Sequence, residues 1–266
     1  PTQIRKYFAF VTHMGLYQWR VLPYGYKNSG ALFCQYLDTI LAGTKWQLLT
    51  SYADDMIVWQ GLNPRMHMKA LAVIFQRLFD AGLHVSLYKC HVFQKAITYL
   101  GFLVSVEGVA PSKRNIAKLM DLVLAKPRDV TALLGLSQYY RKWIPHYAQV
   151  VLPLRKLNTT ASRQADYRSP EVLGAVAALK TALSSFPVLR HADFNKPFIL
   201  ETDGSLDGFG AVLLQTFDGM RCVIAYASSR LPPTKGMSIA TGPILEIAAA
   251  AFGIVHFRVY LEGQKF

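Results

Sequence analysis

The 266-residue chain carries 29 Lys or Arg against 16 Asp or Glu, a formal net charge of +13 with a sequence pI near 9.7, and 52% of its residues are hydrophobic. That is enough apolar material to fill the cores of one large or two ordinary domains, which excludes a wholly disordered polar chain. The longest nearly apolar stretch, Ile247 to Val255, is far shorter than the ~20 residues that span a bilayer, so no membrane partner is expected.

The N-terminal string PTQIRKYFAF lacks the layout of a signal peptide and is expected to lie inside a longer polypeptide. From Tyr7 to Val21 the pattern suits extended chain, turning at Gly15. Pro23, Gly25 and Gly30 then break the chain before a helix predicted from Ala31 to Leu41. Two short β-prone runs follow, Leu48 to Tyr52 and Met56 to Trp59, separated only by Ala53-Asp54-Asp55, which is hairpin spacing. A helix is predicted from Met66 to Phe79, stopped by Gly82, with extended chain from His84 to Val106 broken at Gly101.

From Pro111 the pattern becomes helical and basic. Ile116, Leu119, Met120 and Val123 make one stripe, and Leu133, Leu136, Tyr140 and Ile144 continue a similar one after Pro127. Residues 1–160 hold 19 Lys/Arg against 7 Asp/Glu, whereas residues 161–266 hold 10 against 9, so the charge belongs to the first part of the chain. Asn158 to Ser169 reads as a linker, and Ser169-Pro170-Glu171 as a helix start. Strands are predicted at Phe198–Thr202, Gly208–Gln215 and Val223–Ala227, with Asp218-Gly219 as a turn, followed by a helix from Ile244 to about Tyr260. The three cysteines, Cys34, Cys90 and Cys222, lack disulfide or zinc spacing, which suits an intracellular, reducing compartment and not secretion.

The most informative string is Ser51-Tyr52-Ala53-Asp54-Asp55-Met56, two adjacent carboxylates at the tip of an otherwise apolar hairpin. Asp is common in turns because it favours turn conformations. Adjacent carboxylates also suit Mg²⁺, a hard ion, and paired ions can clamp both oxygens in phosphoryl transfer.

The wider context favours the second explanation. Tyr52-Ala53-Asp54-Asp55 resembles the YxDD box of reverse transcriptases, and FAFVTHMGLYQWRVLPYGYKNSGALFCQYLDTIL upstream is similar to the nucleotide and template segment of gypsy-type LTR retrotransposon polymerases. GLHVSLYKCHVF and YLGFLVSVEGVAPSKRNI resemble the family's motif D and primer-grip region, and LLGLSQYYRKWI its thumb. KPFILETDGSLDGFGAVLLQ, VIAYASSRL and EIAAAAFGIVHFRVYLEGQKF are similar to the start of its RNase H domain. The resemblance runs through the chain in the family's order.

It implies an α+β, multi-domain chain: an incomplete right-hand polymerase palm and fingers over 1–110, thumb helices over 111–157, a linker and connecting helix over 158–186, and the N-terminal part of an RNase H-like α/β domain over 187–266. The implied activity is RNA-directed DNA polymerisation with cleavage of the RNA strand of a hybrid, as part of a Pol polyprotein. Asp54 and Asp55 are then palm metal ligands, with Tyr52 near the primer end and Tyr24 near the sugar of the incoming deoxynucleoside triphosphate. Lys27 is either a pocket cation or a solvated charge, and Lys89 either a general acid or a plain phosphate contact. Phe102 and Gly108 border the primer grip in structural roles. Asp203 and Glu246 match two RNase H carboxylates, and Mg²⁺ or Mn²⁺ is the implied cofactor at both sites.

Residues 113–156 hold nine Lys/Arg and two acids among Tyr139, Tyr140, Trp143 and Tyr147. Lys113, Arg114, Lys118, Arg141 and Lys142 are the candidate phosphate contacts to a primer–template duplex or RNA–DNA hybrid, while most of the aromatics are expected in the core.

The departures from the family concern the metal sites. The family's bridging aspartate belongs on a strand before the Phe8 region, and its third RNase H aspartate beyond Phe266. No Asp or Glu precedes Asp38, which falls on a helix behind the pocket. Gly30 stands where the family usually has proline, and Lys235 to Gly242 lacks the usual acidic and aromatic pattern. This chain alone is therefore expected to be inactive, with the remainder of the polyprotein as a partner. The alternative is a catalytically dead derivative that binds nucleic acid.

Overall fold

The computed structural model describes residues 2–59, 63–159, 167–184, 188–231 and 242–266. The chain divides into two compact units, Pro1–Gln94 and Lys95–Phe266. This division falls before the boundary expected at 110, because residues 96–111 form a sheet packed on the helices that follow. Most of the expected linker, and residues 235–241 of the segment before the last helix, lie outside the described residues.

In the first unit a 3₁₀ turn, Thr2–Phe8, leads into the ribbon β1 (Ala9–Thr12) and β2 (Gly15–Gln18), so the stretch read as extended begins two residues later than Tyr7. Helix α1 (Ser29–Ile40) precedes the hairpin β3 (Leu49–Tyr52) and β4 (Asp55–Val58). Helix α2 (Pro64–Asp80) starts ahead of the predicted Met66, because Asn63 caps it by accepting from the Arg65 N–H at 2.9 Å and Pro64 fits the first turn. Gly82, at φ 71°, ends it as expected. Leu37, Leu41, Leu49, Ile74 and Leu78 form the buried core between the two helices and the hairpin.

The second unit opens with a three-stranded antiparallel sheet, β5 (Ala96–Tyr99), β6 (Phe102–Ser105) and β7 (Val109–Pro111). Helix α3 (Lys113–Met120) is shorter than the apolar stripe implied, leaving Val123 exposed beyond its end, where Lys180 Nζ donates to the carbonyls of Met120 and Leu122. Helix α4 (Pro127–Tyr139) begins with Asp129 accepting from the Ala125 and Lys126 N–H groups. It stops before Ile144, which the stripe had included. Residue 144 precedes Pro145 and is extended (φ −109°, ψ 109°), as the proline ring requires, and Arg141–Trp143 is a 3₁₀ turn. The short helices α5 (Tyr147–Val150) and α6 (Leu152–Thr159) and the longer α7 (Pro170–Ser184) complete a core built on Leu133, Tyr140, Trp143, Leu154 and Leu179.

The last layer is an antiparallel sheet of order β10-β9-β8, with β8 at Phe198–Ser205, β9 at Gly208–Phe217 and β10 at Met220–Arg230, all longer than predicted. Asp218 and Gly219, at φ 50° and 78°, make the predicted tight turn. Helix α8 (Gly242–His256) ends at Phe257 and a final turn, α9 (Arg258–Leu261), replaces the single helix expected to reach Tyr260. Gly253 lets α8 lie close to the sheet: a methyl there would stand 2.9 Å from Thr202 Cγ2.

Candidate functional site

In the first unit the acidic tip is a two-residue turn, tighter than the spacing suggested. Tyr52 pairs with Asp55, so Asp55 begins β4 and only Ala53 and Asp54 turn the chain, Ala53 taking the left-handed φ of 50°. The buried Leu49 anchors the base of this hairpin, while Tyr52, Asp54 and Asp55 are exposed at its tip. The loop over residues 22–30 is pinned by Ser29 Oγ, which donates to the Pro23 carbonyl at 2.9 Å, and Tyr26 meets Phe8 edge-on at 4.9 Å. Tyr24 and Lys27 project from it into solvent. Lys89 is exposed on a 3₁₀ turn, Leu87–Lys89, where extended chain was expected. Asp38 lies on α1 paired with Lys45.

In the second unit Asp203 lies inside β8 and not at a strand end, opposite Gly210. Its neighbour Gly204 touches the backbone of α8 at Leu245 and Glu246, so Asp203 and Glu246 share one level of the fold, both exposed. Side chains alternate along a strand; since Thr202 and Gly204 face α8, Asp203 faces the opposite side. There it lines a cleft of about 260 Å³ with His146, Glu201 and Tyr226. His146, at a left-handed φ of 49°, sits against Gly210, where a methyl would be 3.2 Å from its Nδ1. Burial raises the Tyr226 pKa, and Arg221 holds Glu201 at 2.8 Å. Sequence spacing gave no hint of this cleft; the one available signal was the Pro145-His146 break in the helical pattern.

The cationic candidates occupy two rows. Lys113, Arg114 and Lys118 are exposed along α3, with Arg114 and Lys118 one turn apart on one face. Arg141 and Lys142 are exposed on the 3₁₀ turn after α4. Lys142 lies with its ammonium 4.4 Å from the centre of the Trp143 ring and 5.2 Å from that of Phe102, and the water lost there lowers its pKa from the ordinary lysine value. Tyr140, Trp143 and Tyr147 are buried, while Tyr139 is 47% exposed and stacks on Phe102 at 4.8 Å.

Divalent metal would need carboxylates converging on one point. Among the described residues no group of three or more His, Cys, Asp and Glu side chains does so, so the residues present do not by themselves fit a two-metal centre at either acidic pair. No helix among them is long and apolar enough to cross a membrane.

Comparisons with known proteins match both ends of the chain. A family model described as reverse transcriptase (RNA-dependent DNA polymerase) matches residues 1–104, and one described as the RNase H-like domain found in reverse transcriptase matches residues 169–266. The Transposon Tf2-3 polyprotein of Schizosaccharomyces pombe is 31% identical over 258 residues, covering 96% of this chain and 19% of the polyprotein. The Retrovirus-related Pol polyprotein from transposon 297 of Drosophila melanogaster is 31% identical over 259 residues, covering 97% of this chain and 24% of that protein. Foamy viral protease-reverse transcriptase dRH, solved in complex with ds DNA, superposes with a TM-score of 0.85 at 22% identity over 98% of this chain and 45% of that one. The same viral enzyme with RNA/DNA hybrid gives 0.78 at 23%, over 97% of this chain and 34% of that one. The chain belongs to the reverse transcriptase and RNase H family of LTR retrotransposon Pol polyproteins, and it spans about a fifth to a quarter of the length of these relatives. Both domain families are generally dependent on divalent metal.

Proposed function

We propose that the chain forms part of an RNA-directed DNA polymerase with an RNase H-like region, and that its own residues chiefly hold a primer–template duplex or RNA–DNA hybrid. The observation that carries this is the placement of Tyr52-Ala53-Asp54-Asp55 on a hairpin tip within the segment matched as reverse transcriptase. In this reading Asp54 and Asp55 contribute to a Mg²⁺ or Mn²⁺ site, Tyr52 lies near the primer end, and Tyr24 and Lys27 border the place of a deoxynucleoside triphosphate. Lys89 contacts the departing phosphates. In the RNase H-like region Asp203 makes the corresponding contribution, with Glu246, on the helix packed against the other face of that strand, as the second candidate. Lys113, Arg114, Lys118, Arg141 and Lys142 meet the phosphate backbone.

Catalysis needs at least one further carboxylate at each site, drawn from the rest of a Pol polyprotein. An intracellular, reducing setting suits three free, half-buried cysteines. A second reading, a nucleic-acid-binding derivative without catalysis, is favoured by the lack of a third converging ligand among the described residues.

Primer extension and hybrid cleavage with Mg²⁺ or Mn²⁺ distinguish the two. They are run on this chain alone and on one extended with the flanking polyprotein of a relative. Extension by the longer chain that is lost on Asp54→Asn supports the polymerase; duplex binding without extension in either supports the second reading.

A further inference from the structure

The two cationic rows are far apart in sequence, yet one carbonyl group joins them. The loop between β5 and β6 is Leu100-Gly101, both left-handed (φ 48° and 79°). The Gly101 oxygen accepts from the Ser112 N–H at 2.9 Å and from the Tyr140 hydroxyl at 2.8 Å. The Tyr140 hydroxyl in turn accepts from Asn115 Nδ2 at 2.7 Å, and the Tyr139 hydroxyl donates to the Leu100 carbonyl. Asn115 lies on α3 between Arg114 and Lys118; Tyr140 directly precedes Arg141 and Lys142. Space at the junction is also closed, since a methyl on Gly101 would be 2.8 Å from Asn115 Nδ2 and 3.3 Å from Tyr140 Oη.

A tyrosine ring this deeply buried, at 1% exposure, would fill its place equally well as phenylalanine. What the hydroxyl adds is direction: it accepts from one element and donates to another, which fixes the start of α3 against the end of α4. Phosphates along a duplex are regularly spaced, so two rows of cations bind together only if their separation is fixed.

The geometry points to Tyr140 and Asn115 as positioning residues that set the spacing of the two cationic rows for simultaneous contact with a duplex backbone. The inference rests on the duplex-binding reading above and adds a cause for its geometry. Neither residue touches nucleic acid; Tyr140 acts through the Gly101 carbonyl and Asn115 through the Tyr140 hydroxyl, each on the cations beside it.

The test measures affinity of the full chain for a fluorescent primer–template duplex across a salt series, because the slope of log affinity against log salt counts neutralised phosphates. Tyr140→Phe is expected to weaken binding about tenfold at low salt and to lower the slope magnitude by about 2, as the Arg141–Lys142 row falls out of register. Replacing Arg141 and Lys142 by alanine should cost the same slope in the native background and nothing further in Tyr140→Phe. Asn115→Ala should reproduce Tyr140→Phe and serves in its place if that variant unfolds; far-ultraviolet circular dichroism and melting check the fold. A folded Tyr140→Phe or Asn115→Ala protein with native affinity and slope would overturn the positioning role while leaving duplex binding intact. Absence of binding by the native chain would overturn the duplex reading itself, and the positioning role with it.

Discussion

Gly204 and Leu245 meet backbone to backbone: a methyl placed on Gly204 would stand 2.3 Å from the Leu245 carbonyl oxygen. This contact sets the strand carrying Asp203 against the helix carrying Glu246, and neither backbone can move aside cheaply.

Gly204→Ala is therefore expected to destabilise the second unit by about 1–3 kcal/mol through overpacking. Gly174→Ala, on a helix where nothing lies within 4 Å, should instead stabilise by roughly 0.5–1 kcal/mol by removing glycine's conformational freedom. Urea unfolding of the two variants measures both, and equal midpoints would contradict the close contact.

Alkaline unfolding should involve Tyr147. Burial pushes its pKa up, against smaller opposing effects of the Ser137 hydrogen bond and of Arg155 and Arg141. The folded chain thus keeps this proton at a pH where the unfolded chain has released it. The stabilisation is complete below about pH 10, the unfolded value, and is lost as pH rises through the folded one. Tyr147→Phe should cost only about 1 kcal/mol at neutral pH and make the alkaline decline of stability shallower. An unchanged decline would assign it elsewhere, with Tyr226, whose pKa burial also raises, as the next candidate.

Asp54 is exposed at the tip of a hairpin whose register is fixed at its base by Leu49. Asp54→Asn should leave thermal stability within about 0.5 kcal/mol of the native chain, as for surface substitutions generally, while abolishing metal-dependent extension in the lengthened protein. A large loss of stability would mean that the acid has a structural role.

Much of this architecture could be read from the residues because its signals are local. Asp218-Gly219 announced its turn, Gly82 its helix end, and the Tyr52 to Asp55 string its hairpin. The errors arose where a distant or later residue decides. Ile144 fits the helical stripe, yet Pro145 forces it into extended chain. The Gly101 junction was hidden because Ser112 and Tyr140 reach one carbonyl from the ends of two helices while Asn115 reaches the Tyr140 hydroxyl, and no periodicity encodes such a meeting. The same holds for His146, whose place beside Gly210 depends on a strand pairing much later in the chain. Most of the aromatics among the cations read correctly as core, because Tyr140, Trp143 and Tyr147 face inward while the charges remain outside.

In the proposed function the basic helices hold a nucleic-acid duplex through its phosphates. Titrating the native chain with a labelled primer–template duplex and with an RNA–DNA hybrid, at salt concentrations from about 50 to 200 mM, tests it most directly. Binding should weaken steeply with salt, vary little with sequence, and lose about one unit of slope for each of Lys113, Arg114 and Lys118 replaced by alanine. Absent binding, or binding insensitive to salt and to those three replacements, would contradict it.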